Sequence, residues 1–355
     1  MRRSEEPHQG PDATFGTQAA RAMRALPLIL FLQATPAAAQ NREAQPPASP
    51  PRWYDSIVFK AWVQLDATFP ETNSTVGTVS NFRIRRARPT FISQVDPLTK
   101  VQFQMDLSTG RAGSGASNAS VTDTFAERKI PGFGYFAFGQ QLLPFGHEVY
   151  EDNAALRSPL ELSFAAEQIA LLERDIGVYV RSLAGEDALW RWSFAFVNGQ
   201  GYRSADANAN KTWAGRLTYR VQPGYRVGVS GIVGSWRAVA RDFDRHVLGI
   251  EFQAHPTRAF MLEGEFYNAR FVDSVTAPGR QARLNGGYLM LESWIGPLRS
   301  IPFVRYQRTY GDLDYRSIDL GWRHQVSQNQ RFTVEYDIVE GDRRDSLGAR
   351  WQLAF

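Results

Sequence analysis

The sequence contains no cysteine. That excludes a disulfide scaffold, a Cys-ligated zinc site, an iron–sulfur cluster and thiol catalysis. It also lacks any run of 18 or more apolar residues, so a membrane-spanning helix is not expected. Lysine is scarce: Lys60, Lys100, Lys129 and Lys211 are the only four among 40 basic residues, and the other 36 are arginine. Arginine stays charged and presents a planar fork of donors that suits oxyanions. With 36 acids the net charge is only +4, and no nucleic-acid partner is expected. His147, His246, His255 and His324 fall in separate segments without metal-ligand spacing, so neither a metal nor a cofactor is expected. The stretch Gly113 to Ser117 contains a fragment of a nucleophile motif, but it falls between strands rather than at a strand–helix elbow.

The chain opens on an export address. A basic stretch at Arg21 to Arg24 precedes the apolar run Leu26 to Leu32 and the small-residue sequence Ala37-Ala38-Ala39. This pattern predicts a signal peptide over 1–39, cleaved after Ala39, with Met23 as a second candidate start. Its loss takes away four Arg and three acids, leaving 36 − 33 = +3. Residues 40–55, rich in Pro, Ala and Gln, read as a disordered periplasmic tether.

From Ile57 onward the dominant period is two. Phe59, Ala61, Val63, Leu65 and Ala67 share one face, and Lys60, Trp62, Gln64 and Asp66 share the other. The same split separates Trp190, Phe194 and Phe196 from Arg191, and Leu347, Trp351 and Leu353 from Arg350. Sixteen strands are expected, at 56–69, 80–94, 98–109, 121–130, 133–141, 174–183, 187–198 and 211–222 in the first half. The second half has 224–236, 243–254, 258–271, 283–296, 300–311, 314–326, 329–340 and 345–355. Most exceed the five or six residues usual in soluble sheets and match the roughly 9–11 needed to cross a bilayer at a tilt. Connections alternate between short turns, such as Gln222-Pro223-Gly224, and longer loops, such as 70–79, 110–120, 142–173 and 199–210. A large soluble β-protein is the competing reading. Its sheets would need somewhere to pack a charged face on nearly every strand. A closed antiparallel transmembrane β-barrel over 56–355, apolar toward lipid and polar toward a wet lumen, removes that problem. An even strand count puts both termini on the periplasmic side.

Two places break the alternation. Arg83 and Arg85 oppose Phe82 and Ile84, whereas Arg86 and Arg88 share their parity. A β-bulge near Arg85-Arg86 would send all four to the lumen, with Ala87, Pro89 and Phe91 toward lipid. In 121–130, Asp123, Glu127 and Lys129 share parity with Val121 and Phe125, which makes this the weakest strand assignment.

Particular segments resemble a known family. Phe82-Arg-Ile-Arg-Arg86-Ala-Arg88 resembles the Arg-rich second strand of the phosphate-selective porin O/P family. Gly139-Gln140-Gln-Leu-Leu-Pro144-Phe145-Gly146-His-Glu148 is similar to that family's G-Q-x-x-x-P-F-G-x-E segment, and Glu173-Arg174 with Gly177-Val178 to its later E-R…G-V stretch. The terminal Phe355, after Trp351 and Leu353, is similar to the C-terminal signal of outer-membrane barrels. The resemblance is most specific over 82–181. It implies a 16-stranded outer-membrane porin, a homotrimer among outer-membrane lipid and lipopolysaccharide, passing anions such as phosphate. A general small-solute porin is the alternative, and an outer-membrane barrel enzyme a further one.

Fixed charges in a narrow wet pore with low-dielectric walls attract counter-ions strongly, and rings of Arg build an anion path. Parity assigns Lys60, Lys100, Arg181, Arg191, Arg216, Arg220, Arg226, Arg305, Arg323, Arg331 and Arg350 to the lumen, beside Arg83, Arg85, Arg86 and Arg88. Each has a bland reading as a partner of a nearby acid or of a lipid phosphate. Glu263, Glu265, Glu335 and Asp337 also face inward. The segment 142–173 is too long for a connector. With His147, Glu148, Arg157 and an apolar helical run from Leu160 to Leu172, it is expected to fold inward as the constriction loop. A protease site inserted in 199–210 should be cut on intact cells, and one at 222–224 should be protected; the reverse pattern would overturn this topology.

Overall fold

The computed structural model describes residues 53–70, 80–109, 117–151, 157–169, 174–185, 187–201, 206, 208–238, 241–273, 280–341 and 345–355. The export signal and tether lie outside these residues. The first eight strands are β1 (Val58–Pro70), β2 (Asn81–Asp96), β3 (Thr99–Thr109), β4 (Ser117–Ile130), β5 (Gly134–Leu142), β6 (Arg174–Ser182), β7 (Trp190–Val197) and β8 (Thr212–Gln222). The others are β9 (Tyr225–Ala238), β10 (Arg241–Ala254), β11 (Phe260–Asp273), β12 (Arg280–Ser293), β13 (Ser300–Gly311), β14 (Tyr315–Ser327), β15 (Gln330–Val339) and β16 (Ser346–Ala354). Each expected strand is present, within a few residues at its ends. Every strand pairs antiparallel with its sequence neighbours, and β1 with β16, so the sheet closes into a barrel. Closure leaves no unpaired edge, the condition for a sheet to sit in hydrocarbon. The seam is tied at the chain end, where Phe355 and Ala61 exchange backbone hydrogen bonds of 2.8 and 3.3 Å.

The sheet has two unlike ends. Short turns such as Gln222–Tyr225 and Ser327–Gln330 gather with the last residue at one end, here the turn end. The longer connections, including 142–174, lie at the other, the loop end. Outward-facing positions form an apolar belt, with Phe194, Leu217, Leu248, Leu320 and Trp351 all exposed. The inward positions hold the charges.

Both breaks in alternation are bulges. In the β1–β2 register Gln64 faces Arg86 and Leu65 faces Ile84, so Arg85 is the extra residue. Between β3 and β4, Phe103 faces Thr124 and Met105 faces Val121, leaving two β4 residues across from one. Val121 is therefore exposed on the lipid side while Thr122 and Glu127 are buried within. An inserted residue resets which face follows, and each sequence spends it where strict alternation would put charge into lipid.

The buried apolar cluster lies inside the barrel, because the described parts of the 142–173 connection, 142–151 and 157–169, fold into the lumen. Leu143, Phe145, Val149, Phe164 and Ile169 from this loop pack on Ile232, Tyr267 and Leu284 of the wall. Two short helices shape it, α1 (His147–Tyr150) and α2 (Phe164–Ile169). The helical run is shorter than the sequence suggested, since Leu160 to Ser163 are irregular. Arg at Phe194, Leu217 or Val334 should each weaken the fold by about 2–4 kcal/mol if the site lies near the bilayer midplane. Loss of heat-resistant mobility on gels reports this; unchanged resistance for all three would show that the belt does not face lipid.

Candidate functional site

The lumen is divided by how the loop lies in it. Proline at 144 and glycine at 146 turn the chain inward from β5. Gly146 has φ of 65°, and a Cβ there would stand 2.6 Å from Glu265 Oε2. A side chain is excluded on both counts. That close approach lets the backbone N–H groups of His147 and Glu148 donate to the Glu265 carboxylate at 3.0 and 2.6 Å. A carboxylate from β11 thereby satisfies the free donors at the start of α1. Phe145 stacks on Tyr267 with ring centroids 5.7 Å apart. The P-F-G-x-E motif is thus a docking device.

Its glutamate acts inside the loop. Glu148 is 3% exposed, accepts from Ser163 N and Oγ at 2.7 and 2.6 Å, and pairs with Arg305 at 3.1 Å. Burial pushes the Glu148 carboxyl up, against the opposing pull of Arg305 and Arg157. Arg157 donates to the Glu148 carbonyl at 2.8 Å. Of the three expected constriction residues, Glu148 is buried, Arg157 is half-buried, and His147 lines the turn-end cavity, where it pairs with Glu263 at 3.4 Å.

Glu161 is the residue that sequence reading missed. Its carboxylate meets Arg85 at 2.5 Å, Arg350 at 2.9 Å, Arg86 at 3.3 Å and Arg83 at 3.7 Å. Asp66 adds a second acid, 2.7 Å from Arg350 and 3.5 Å from Arg83. Four guanidiniums thus surround two carboxylates, an excess of 4 − 2 = +2. Burial would raise the Glu161 carboxyl, but Arg86, Arg85 and Arg350 outweigh it and hold it well below the usual carboxylate range. Arg88, the last of the four arginines expected in the lumen from β2, pairs instead with Asp106 at 2.8 Å. Arg83, Arg85, Arg86 and Arg88 all face inward, as the bulge requires.

The remaining predicted cations also lie inward. Lys100 and Arg181 share Glu127 at 3.2 and 2.9 Å. Arg191 and Arg216 share Glu151 of the loop, and Arg216 also pairs with Glu251. Arg220 reaches Asp187 at 3.3 Å. Arg226 donates to Thr218 at 3.1 Å and Arg331 to Gln325 at 2.9 Å. Lys60 and Arg323 occupy inward positions opposite Thr90 and Thr333. Arg305 is buried against Asp319 at 2.7 Å and does not face open water.

Burial is uneven by sign. Among the described residues eleven acids are buried but only six arginines. The loop lies on the wall that carries Glu263, Glu265, Glu335 and Asp319, and covers those carboxylates. The cations stay wetter: side-chain exposure is 30% for Arg83 and Arg85, 33% for Lys100 and 40% for Arg181. Toward the turn end a cavity of about 760 Å³ is lined by Arg181, Arg191, Arg216, Arg220 and Arg226, with Glu151 and Asp187 as its acids. With Glu127 and Glu251, which pair with Arg181 and Arg216 behind this lining, the five arginines meet four acids, an excess of 5 − 4 = +1.

The sequence matches the model of the family described as phosphate-selective porin O and P over residues 59–256, more than half of the chain. The chain belongs to that porin family. A comparison with curated proteins returns no match. Among solved structures the porin is similar to an anion-selective porin from Comamonas acidovorans, at 12% identity and TM-score 0.65, over 84% of this chain and 99% of that one. It is also similar to OmpF of Salmonella typhi at 14% identity and TM-score 0.64, over 84% and 97%. The trimer form of OmpT, an outer membrane protein of Vibrio cholerae, matches at 11% identity and TM-score 0.60, over 84% and 99%. The porin is therefore an integral outer-membrane barrel with a passive, water-filled channel.

Glu161→Gln should free the loop from β2 and β16 and raise the lumen charge by one. Single-channel records should show larger current fluctuations and a higher anion-to-cation permeability ratio. The pH sign follows from the depressed carboxyl: its contribution is complete above the unfolded value of about 4.3 and fades as pH falls toward the folded one. The Glu161 anchor should therefore hold down to about pH 5 and give way only in stronger acid. Quiet E161Q channels at neutral pH would show that Glu161 does not hold the loop.

Proposed function

We propose that this porin conducts anions, with phosphate-like oxyanions as its preferred cargo, and has no enzymatic activity. One observation carries the reading. The loop buries carboxylates on one side of the lumen and leaves arginines accessible on the other. Water-filled passages between low-dielectric walls concentrate the counter-ion of whatever charge stays wet. Here that charge is positive at two levels, Arg83 and Arg85 in front of the buried Arg86 and Arg350, and the turn-end cavity. Each cluster keeps a modest excess, so an anion is attracted without being trapped, which conduction requires. Guanidinium forks favour tetrahedral oxyanions through paired hydrogen bonds. The phosphate selectivity for which the family is described and the anion selectivity of the Comamonas porin point the same way.

The turn end faces the periplasm in this reading, after export and cleavage behind Ala39. Assembly as a homotrimer accords with the trimer form recorded for the Vibrio protein; a monomeric mass in detergent would remove that element alone.

Replacing Arg83 and Arg85 by Gln is the direct test, read as reversal potential in a KCl gradient across a planar bilayer. Wild type should favour chloride, and the double variant should lose a clear part of that preference. Millimolar phosphate should block chloride current in wild type more than in the variant. A cation-selective wild type, or unchanged selectivity in the variant, would overturn the anion path.

A further inference from the structure

The outer wall carries a site that permeation does not use. On β11 and β12 the outward apolar face reaches Phe266 and Leu289. Beyond them, toward the loop end, the same face carries Asn268 and Arg270 on β11, and Asn285 and Arg283 on β12. Arg270 and Arg283 stand directly opposite each other in the register. Arg308 and Arg316 form a second such pair between β13 and β14. Like charges directly opposite destabilise a sheet. The second pair is relieved by acids, Asp314 at 3.1 Å from Arg308 and Glu340 at 2.7 Å from Arg316. The first pair has no acid partner among the described residues. Arg270 donates to Gln281 at 2.7 Å, and Arg283 touches Asp312 through its backbone N–H. Both side chains are exposed on the lipid side of the wall.

Below this basic row the wall is hollowed. A furrow of about 650 Å³ has Gly264 and Gly287 on its floor, Ile250, Phe266 and Leu289 along its sides, and Arg308 at its rim. It is mostly apolar, with Arg308 as its basic lining residue, and the Arg270–Arg283 pair lies four residues beyond Phe266 and Gly287 toward the loop end. That combination fits an amphiphile with an acyl chain and a phosphate head, and not a second apolar surface alone. We propose that this face binds a phosphorylated acyl glycolipid of the outer leaflet, lipopolysaccharide. One acyl chain lies in the furrow and a phosphate bridges Arg270 and Arg283, within reach of Arg308. The anion neutralises the like-charge pair, each basic side chain near a membrane surface adding to the attraction. The inference uses only the sidedness argued above and is independent of what the pore conducts.

The test is native mass spectrometry of the mature barrel in detergent, titrated with bis-phosphorylated lipid A and with its dephosphorylated counterpart. Wild type should retain the phosphorylated lipid well and the other poorly. Arg270→Gln with Arg283→Gln should bind it roughly ten- to thirtyfold more weakly, with channel conductance unchanged. Arg128→Gln, on the outer face near the turn end, should bind like wild type. Equal retention of both lipids by wild type would overturn the proposal without need of any variant, as would undiminished binding by the double variant. Because the chain has no cysteine, Leu289→Cys supplies a clean third arm. Efficient disulfide cross-linking between copies would show that a second barrel, not lipid, covers the furrow.

Discussion

A single carboxylate, Glu161, sits among guanidiniums from β2 and β16, and the shape of the channel depends on it. A 16-stranded barrel encloses more space than its own inward side chains fill. What narrows it is the loop, and the loop stays across the lumen because Glu161 is caught at one end and α1 is capped by Glu265 at the other. Both anchors join loop to wall through charge. Both contacts are buried and cost desolvation, which the guanidiniums around Glu161 and the backbone donors at Glu265 offset.

The same contacts set the electrostatics. Capping α1 consumes Glu265, and the loop backbone at Leu160 takes Glu335. Acids that would oppose an anion are used up as structural acceptors. Arginines held at the basic wall share fewer carboxylates than their number, so a surplus of positive charge remains next to water. Selectivity here is a by-product of where the loop finds its hydrogen-bond acceptors.

The lipid side obeys a harsher rule. Hydrocarbon tolerates no misplaced charge at mid-depth, so parity errors must be corrected locally. The extra residue at Arg85 and the bulge in β4 are such corrections. The Arg270–Arg283 pair escapes the rule because it lies past the end of the apolar face, where headgroups rather than tails surround the wall.

Strands, their number, their faces and the bulge at Arg85 were legible in the sequence, because period two and its interruptions are local properties of a pleated chain. The inward course of 142–173 was legible from its length and its turn residues. The role of Glu148 was not, since nothing local distinguishes a pore-facing acid from one closed over by Ser163 and Arg305. Glu161 went unrecognised for the same reason: its partners Arg85 and Arg350 are 76 and 189 residues away. Parity says which side of the wall a side chain takes, but only the packed loop decides which of those inward charges still meet water.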